Sequence, residues 1–275
     1  MSAQRVGLIA GNGRFPIIFA RTARAEGVRV IAVAHEGETP PELSEHVDAI
    51  TWIKIGQLDA IIRAFHSHGV RRAVMAGGIR KTALMEYFAP DERGMRFLSS
   101  LSNWSDDAIL RGVAAELEGE GIEVVESTLF LQSIVTPEGS LTQRQPNEAQ
   151  WRDVRYGVAV AKGIGQWDIG QTVVVKNGMV LAVEAIEGTD EALRRGGQLG
   201  RGGSVAVKVS KPSQDLRFDV PAVGPDTIPV CSAAGIAVLA LEAGKTLLLD
   251  REECLRAADG AELIIVGVGG DGGAR

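Results

Sequence analysis

The chain has 275 residues, 45% of them hydrophobic and 23% charged, with a formal net charge of -6 and a pI near 5.4. Those values describe an ordinary globular protein long enough for two domains, and the acidic balance argues against nucleic acid as a partner, which needs many uncompensated cations to displace counterions. The N-terminus MSAQRVGLIAGNG has no cleavable signal pattern, and the longest uncharged run, Ile228 to Leu241, is too short to span a bilayer and reads as a buried helix. Cys231 and Cys254 lack metal spacing and read as buried thiols of a reducing cytoplasm, so the expectation is a soluble cytoplasmic protein with room for peripheral contact with a membrane.

In chain order, Arg5 to Ala10 reads as a short apolar strand, followed by Gly11-Asn12-Gly13-Arg14-Phe15-Pro16, a helical pattern through Glu26, and a strand from Val28 to Ala34. Pro16 suits the first turn of a helix, but it stands where the dinucleotide fingerprint needs its third glycine, which disfavours a nicotinamide or flavin cofactor. No Gly-Lys-Ser/Thr follows, so a P-loop is absent as well. The turn at Gly11, Asn12 and Gly13 is either an anion cradle at a helix N-terminus or a structural corner. A strand at Ala49 to Ile55, a helix at Leu58 to His68 and a strand at Arg72 to Ala76 continue the alternation, which implies a parallel sheet with ligands at the carboxyl ends of its strands. Gly77, Gly78, Arg80 and Lys81 follow one such end, where the two cations would meet a phosphate or lie solvated.

The stretch TALMEYFAPDERGMRFLSSLSNW, carrying Leu84, Met85, Tyr87, Phe88, Met95, Phe97, Leu98, Leu101 and Trp104, reads as core or interdomain packing, with a lipid groove as the alternative. A helix from Ser105-Asp106-Asp107 to about Glu118 and a strand at Ile122 to Glu126 complete the first half. His35, His46, His66 and His68 all lie there and read as surface residues, which counts against a histidine-rich dinuclear metal site.

A domain of residues 1–133 and a second domain over 147–275 are separated by 134–146, whose polar, turn-rich TPEGSLTQRQP reads as a linker or an exchanged lid. A helix from Asn147 to Lys162 is expected to end at Gly163-Ile164-Gly165-Gln166. Strands at Gln171 to Lys176 and Met179 to Ile186 are joined by Asn177-Gly178, a strong hairpin signal, and Glu184 sits in the second, where a carboxylate needs a cation or donors. Glu187-Gly188-Thr189-Asp190 opens a helix and a possible second anion site, although capping accounts for Thr189 and Asp190 equally well. Ser204 to Val209 is a strand, Asp250 to Glu253 has the spacing of a capping box, and Leu263 to Val268 is the last strand.

The loop VKVSKPSQDLRFDVPAVGPDT, Val207 to Thr227, combines cations, carboxylates and prolines. From Arg194 to Arg217 there are six basic residues against one acid, Asp215, a local field that suggests an anionic ligand. Asp226 precedes an apolar helix, where the bland role is an N-cap.

GNGRFP, MAGGIRK, GQTVVVKNGMVLAVEAIEGTDEAL and that loop together resemble the magnesium-dependent UDP-2,3-diacylglucosamine pyrophosphatases of lipid A biosynthesis, a family distinct from the metallophosphoesterase type. The resemblance implies an α/β protein with an N-terminal Rossmann-like parallel-sheet domain and a C-terminal α/β domain with a mixed sheet, the substrate lying between them. It also implies Mg2+ and water attack at the α-phosphate of UDP-2,3-diacylglucosamine, giving UMP and 2,3-diacylglucosamine 1-phosphate, lipid X. A non-catalytic nucleotide-sugar or lipid-binding regulator is the alternative, and a homodimer is possible. Asp226 matches the aspartate that family members need for activity, and Asp226 with Asp215 are the candidate metal ligands, with Glu187 or Asp190 assisting. Substrate contacts are expected from Gly11, Asn12, Gly13, Gly77, Gly78, Arg80 and Lys81 in the first half. In the second half they are expected from Gln171, Lys176, Gly188, Thr189, Lys211, Gln214 and Arg217.

Overall fold

The computed structural model describes residues 4–80, 87–101, 106–212 and 214–270. The chain divides into two units, one of Met1–Gln132 with Leu216–Asp219, the other of Ser133–Asp215 with Val220–Arg275.

The first unit is built on a parallel sheet of β1 (Arg5–Ala10), β2 (Arg29–His35), β3 (Ala49–Ile53), β4 (Arg72–Ala76) and β5 (Glu123–Val124), in the order β3-β2-β1-β4-β5. Its helices are α1 (Phe15–Ala25), α2 (Leu58–Ser67), α3 (Glu92–Ser100) and α4 (Asp106–Gly119). Beyond its first residue β1 is buried throughout, the near-continuous apolar pattern of a strand covered on both faces. A Cβ on Gly7 would lie 2.8 Å from the ring of fully buried Phe65, so that glycine lets α2 press onto the sheet. The strand order reverses between β1 and β4, the switch point at which open parallel sheets commonly receive ligands. Phe218 packs against this core, with the Arg217 guanidinium 4.9 Å from its ring centroid and that of Arg111 at 5.9 Å. Neither polarity nor turn content in the sequence marks Leu216–Asp219 as part of the first unit.

The second unit holds β6 (Gly139–Ser140), β7 (Thr172–Lys176), β8 (Met179–Val183), β9 (Ser204–Lys208), β11 (Ile236–Glu242) and β13 (Ile264–Val268) in the order β6-β13-β11-β9-β7-β8, with β10 (Ala222–Val223) and β12 (Leu247–Leu248) as a separate pair. Strands β9, β11 and β13 run parallel, while β6, β7 and β8 make the sheet mixed. Its helices are α5 (Glu148–Gln166), α6 (Thr189–Gly200), α7 (Thr227–Ala233) and α8 (Arg251–Gly260). The hairpin at Asn177-Gly178 forms as expected, both residues taking positive φ (52° and 74°). Buried Asp153 on α5 accepts from the N–H of Asn177 at 2.9 Å and of Gly178 at 2.7 Å, so a carboxylate on the helix holds the turn of the sheet.

Several expectations are corrected. Helix α5 continues through Gly163–Gln166, because Gly165 serves the approach of Lys211 and Pro212, which a Cβ would meet at 3.1 to 3.4 Å, and does not stop the helix. The uncharged run Ile228 to Leu241 is not one helix: α7 ends at Ala233, Gly235 turns with φ 68°, and the β-branched remainder forms β11. Residues 134–146 are no free linker, since β6 pairs with β13 and Val135 bridges Leu247. Asp250 is left-handed (φ 45°) and its side chain makes no capping bond, so the capping box at α8 does not form. His35 is buried with Nδ1 2.9 Å from the Ala10 carbonyl, and burial holds its pKa below the ordinary histidine value. Among the described residues no helix is long and apolar enough to cross a membrane.

Asp153→Ala removes the acceptor of two backbone donors and is expected to destabilise the protein by about 2 kcal/mol. The urea midpoint should fall with little change in slope; an unchanged midpoint would show that the turn holds itself.

Candidate active site

The parallel strands of the second unit end at one edge, and β9 and β11 both finish there with a charged residue, Lys208 and Glu242, in adjacent register. The Glu242 side chain is 2% exposed. It accepts from Lys162 Nζ at 2.6 Å, from the Ser210 N–H at 2.8 Å and from Lys245 Nζ at 3.1 Å. Burial alone would raise its pKa, but the Lys162 hydrogen bond, the Ser210 N–H and the lysine charges outweigh burial and hold it below the usual carboxylate value. Lys162 Nζ also donates to the Ser210 carbonyl at 2.8 Å, so both backbone groups of Ser210 are fixed by one ion pair. Gln214 Oε1 then accepts from the Lys211 N–H at 2.9 Å and from Ser210 Oγ at 3.2 Å, closing the start of the loop. The Lys211 side chain reaches Asp168, 2.6 Å away and 80% exposed, a pair that water screens and an anion can exchange.

A second polar line crosses the same edge. Buried Lys208 donates from Nζ to Thr189 Oγ1 at 2.7 Å, and Thr189 donates on to Glu184 Oε1 at 2.8 Å. Glu184 Oε2 accepts from the Gln171 N–H at 3.3 Å, so the carboxylate expected to be costly inside β8's continuation is matched by Lys208 through a hydroxyl. Gln171 Oε1 and Thr172 Oγ1 are buried here with no hydrogen-bond partner in the structure.

Helices α6 and α7 pack side by side, and near their C-terminal ends a Cβ on Gly197 would lie 2.0 Å from Ala234 O. Each leads into a parallel strand, α6 into β9 and α7 into β11, so both run back from the edge where those strands finish, and their N-termini lie toward the edge that carries Lys208. Burial, with a contribution from Asp190, pushes the Cys231 thiol up to about 12. Gly188, with φ 83°, opens α6 without a side-chain cap, which leaves the first-turn N–H groups for solvent or an anion. Asp226 immediately precedes α7, is exposed, and makes no capping hydrogen bond, so the bland role open to it in the sequence is not the one its carboxylate fills.

The edge thus gathers Gln171, Gly188, Thr189, Lys211, Gln214 and Asp226 from the expected set, with Asp215 half-buried on the same loop. Lys176 is elsewhere: its Nζ donates to the carbonyls of Gly200 and Gly202, each at 2.7 Å, at the C-terminus of α6 and the opposite edge. Arg217 belongs to the first unit, where it pairs with Glu118 at 3.3 Å. Glu187 is held by Arg195 at 2.5 Å.

In the first unit the turns after β1 and β4 interlock. The Gly11 N–H donates to Ala76 O at 2.8 Å and the Asn12 N–H to Gly78 O at 2.7 Å. A Cβ on Gly11 would lie 2.2 Å from Gly78 O, and one on Gly77 2.3 Å from Asn12 O, so these glycines are demanded by each other and two of the expected anion donors are already used. Gly13, at φ 80°, remains open. Arg80 donates from its backbone and side chain to Glu38 at 2.7 and 2.8 Å, and Asn12 Nδ2 joins at 3.1 Å. Burial opposes the charge on Glu38, but these hydrogen bonds prevail and keep its pKa low. Lys81 lies outside the described residues, as do Leu84, Met85 and Trp104.

Sequence reasoning missed Glu38, Lys162 and Glu242. The one signal for Glu242 is a carboxylate closing the apolar run IAVLAL, which says a partner must exist without saying which.

Glu242→Gln is expected to cost about 3 kcal/mol at neutral pH, because it leaves the partly buried Lys162 beside a neutral amide. A depressed carboxylate contributes stability above its unfolded pKa of about 4.3 and loses it as pH falls through the folded value, so the gap between wild type and variant should narrow below about pH 4. A gap that stays constant with pH would remove the charge from this account.

Two family descriptions match the chain, "LpxI N-terminal domain" over residues 5–134 and "LpxI C-terminal domain" over residues 137–266. A curated relative from Caulobacter vibrioides, named UDP-2,3-diacylglucosamine pyrophosphatase LpxI, is 36% identical over 279 aligned positions, covering 96% of this chain and 98% of the relative. Among solved structures, the biotin carboxylase domain of Hydrogenobacter thermophilus 2-oxoglutarate carboxylase aligns at 14% identity over 65% of this chain and 36% of its own, with a TM-score of 0.29. CobK precorrin-6A reductase aligns at 14% identity over 99% of this chain and 90% of its own, with a TM-score of 0.27. Likenesses that weak carry no argument about fold or chemistry. The two domain matches and the end-to-end relative do: this chain belongs to the LpxI family.

Proposed function

We infer that this protein hydrolyses the pyrophosphate bond of UDP-2,3-diacylglucosamine. The observation that carries the reading is the 36% identity to a pyrophosphatase of that name along essentially the whole of both chains. The second unit supplies groups suited to it: an exposed, uncapped carboxylate at Asp226 beside a cationic edge.

In this reading water attacks the α-phosphate, and the products are UMP and 2,3-diacylglucosamine 1-phosphate. A pyrophosphate diester needs its charge neutralised and its water oriented. Lys211 exchanges exposed Asp168 for a phosphate oxygen, and the Glu242–Lys162 pair keeps the loop from yielding as it does so. Lys208 and the uncapped start of α6 add fixed positive potential that costs no reorganisation. Gln171 lies at the same edge, its N–H held by the Glu184 carboxylate.

Magnesium fits these residues. Among the described residues no group of three or more histidine, cysteine or carboxylate side chains could hold a metal, but magnesium commonly takes one or two carboxylates together with phosphate oxygens and waters. Asp226 would hold it, with Asp215 as the second candidate. Bound there, the ion would neutralise charge on the phosphate oxygens. Peripheral contact with membrane lipid belongs to the same reading: Trp167 is 80% exposed and Ile186 fully so, on loops that meet where Gly170 touches Glu184.

With magnesium and oxygen-18 water, the wild-type protein should place label in UMP. Asp226→Asn is expected to lower kcat roughly 10³-fold while the protein stays folded and binds substrate. Full turnover by that variant would unseat Asp226; tight substrate binding by the wild type with no UMP would leave a binding protein in place of an enzyme.

A further inference from the structure

The parallel strands of the second unit are each entered from a helix, β9 from α6, β11 from α7 and β13 from α8, and they lie side by side in the sheet. The C-terminal ends of those helices therefore come together at the edge where the strands begin, opposite the edge that carries Lys208 and Glu242. The turns from α6 to β9 and from α7 to β11 touch, the Gly203 N–H donating to Gly235 O at 2.8 Å. The segment before α5 closes the other side, with the Gln143 N–H on the Asp259 carboxylate at 2.9 Å and Arg144 on Glu262 at 3.0 Å. These segments enclose a cavity of about 570 Å³ that the hydrolase reading does not use.

The chemistry of the cavity has a sign. A helix ends on carbonyls without intrahelical partners and carries about half a negative charge there, which a basic side chain in the last turn commonly offsets. None of α6, α7 and α8 has a basic residue in its last turn. Helix α6 is met from β7 instead, by Lys176 Nζ on the carbonyls of Gly200 and Gly202 at 2.7 Å each, and Gly202 stands in the cavity lining. Among the described residues Arg144 is the one cation of that lining, and Glu262 engages it in a pair that water screens, the side chains being 59% and 80% exposed. The floor is apolar, made by Ile236 and Ile264 at the strand starts. An anion would meet the carbonyl ends of helices, and a bare metal ion would find a single carboxylate, Glu262. An aliphatic ammonium matches both parts of the lining: carbonyls and Glu262 accept from its nitrogen, and its methylenes lie on the isoleucines, the arrangement that Lys176 already makes at the end of α6.

We propose that this cavity binds an aliphatic di- or polyamine, with its ammonium groups at the ends of α7 and α8 and on Glu262. The site lies at the opposite edge of the sheet from Asp226 and Lys211, so it stands independently of the hydrolase reading. A cation bound there stabilises the second unit by completing the helix ends that its own side chains leave uncompensated.

Isothermal titration of the whole chain with spermidine in about 150 mM NaCl, where diffuse surface attraction is screened, tests the proposal. The wild type should bind at a single site, and Glu262→Gln, which removes one charged acceptor from an exposed position, should bind about tenfold more weakly. Ala261→Arg is the second variant, and it places a tethered guanidinium at the exposed C-cap of α8. It is expected to abolish spermidine binding and to raise the melting temperature of the free protein, because the side chain then supplies the cation that the ligand would bring. Absence of binding by the wild type overturns the proposal. So does binding that both variants keep at wild-type strength, which would be counter-ion attraction to a chain of net charge -6.

Discussion

A carboxylate taken out of water at the end of a strand must be met by cations and N–H donors or give up its charge, and Glu242 is met by Lys162, Lys245 and the backbone of Ser210. Much of the second unit hangs on that arrangement. Lys162 comes from α5, so the helix is tied to the sheet edge; Ser210 begins the loop, so the loop is tied to both. Gln214 then copies the fixed position of Ser210 onto the Lys211 backbone. The loop is irregular in dihedral angles yet anchored at its root, which suits a segment that must present a cation and a carboxylate to a charged substrate.

The charge balance of this region is a lesson in dimensions. Counted along the chain, Arg194 to Arg217 is strongly cationic. In space Arg194 meets Glu191, Arg195 meets Glu187, Lys211 meets Asp168 and Arg217 meets Glu118. All four of those acids enter from outside the counted window. The net field is smaller than the count along the chain suggests, and the open start of α6 adds its own partial charge to it.

Much of the architecture was legible because each signal is local. Alternating apolar runs and helical patterns identify the parallel sheet, and Asn177-Gly178 marks its hairpin with two residues that accept positive φ. The site was legible in its types and less so in its members. Gly11 and Gly77 look like a phosphate cradle, but their lack of side chains answers the contact of one turn with the other, a fact that exists only once β1 and β4 are neighbours. Lys176 has the right charge, but the antiparallel register of β7 carries it to the far edge. Glu38 and Glu242 are acids without a motif, and their partners arrive from 42 and 80 residues away.

The division of the chain also bears on how it is made. Phe218 completes the apolar core of the first unit, yet it is encoded beyond β9, deep in the sequence of the second. A nascent chain that has delivered all of residues 1–132 still lacks the side chain and the Arg217 that lie over α4. The N-terminal unit can collapse early, as domains do during synthesis, but its surface is finished only after the ribosome has passed the middle of the second sheet. The order of manufacture and the order of completion differ, and a gene split between the two halves would separate the first unit from part of its own core.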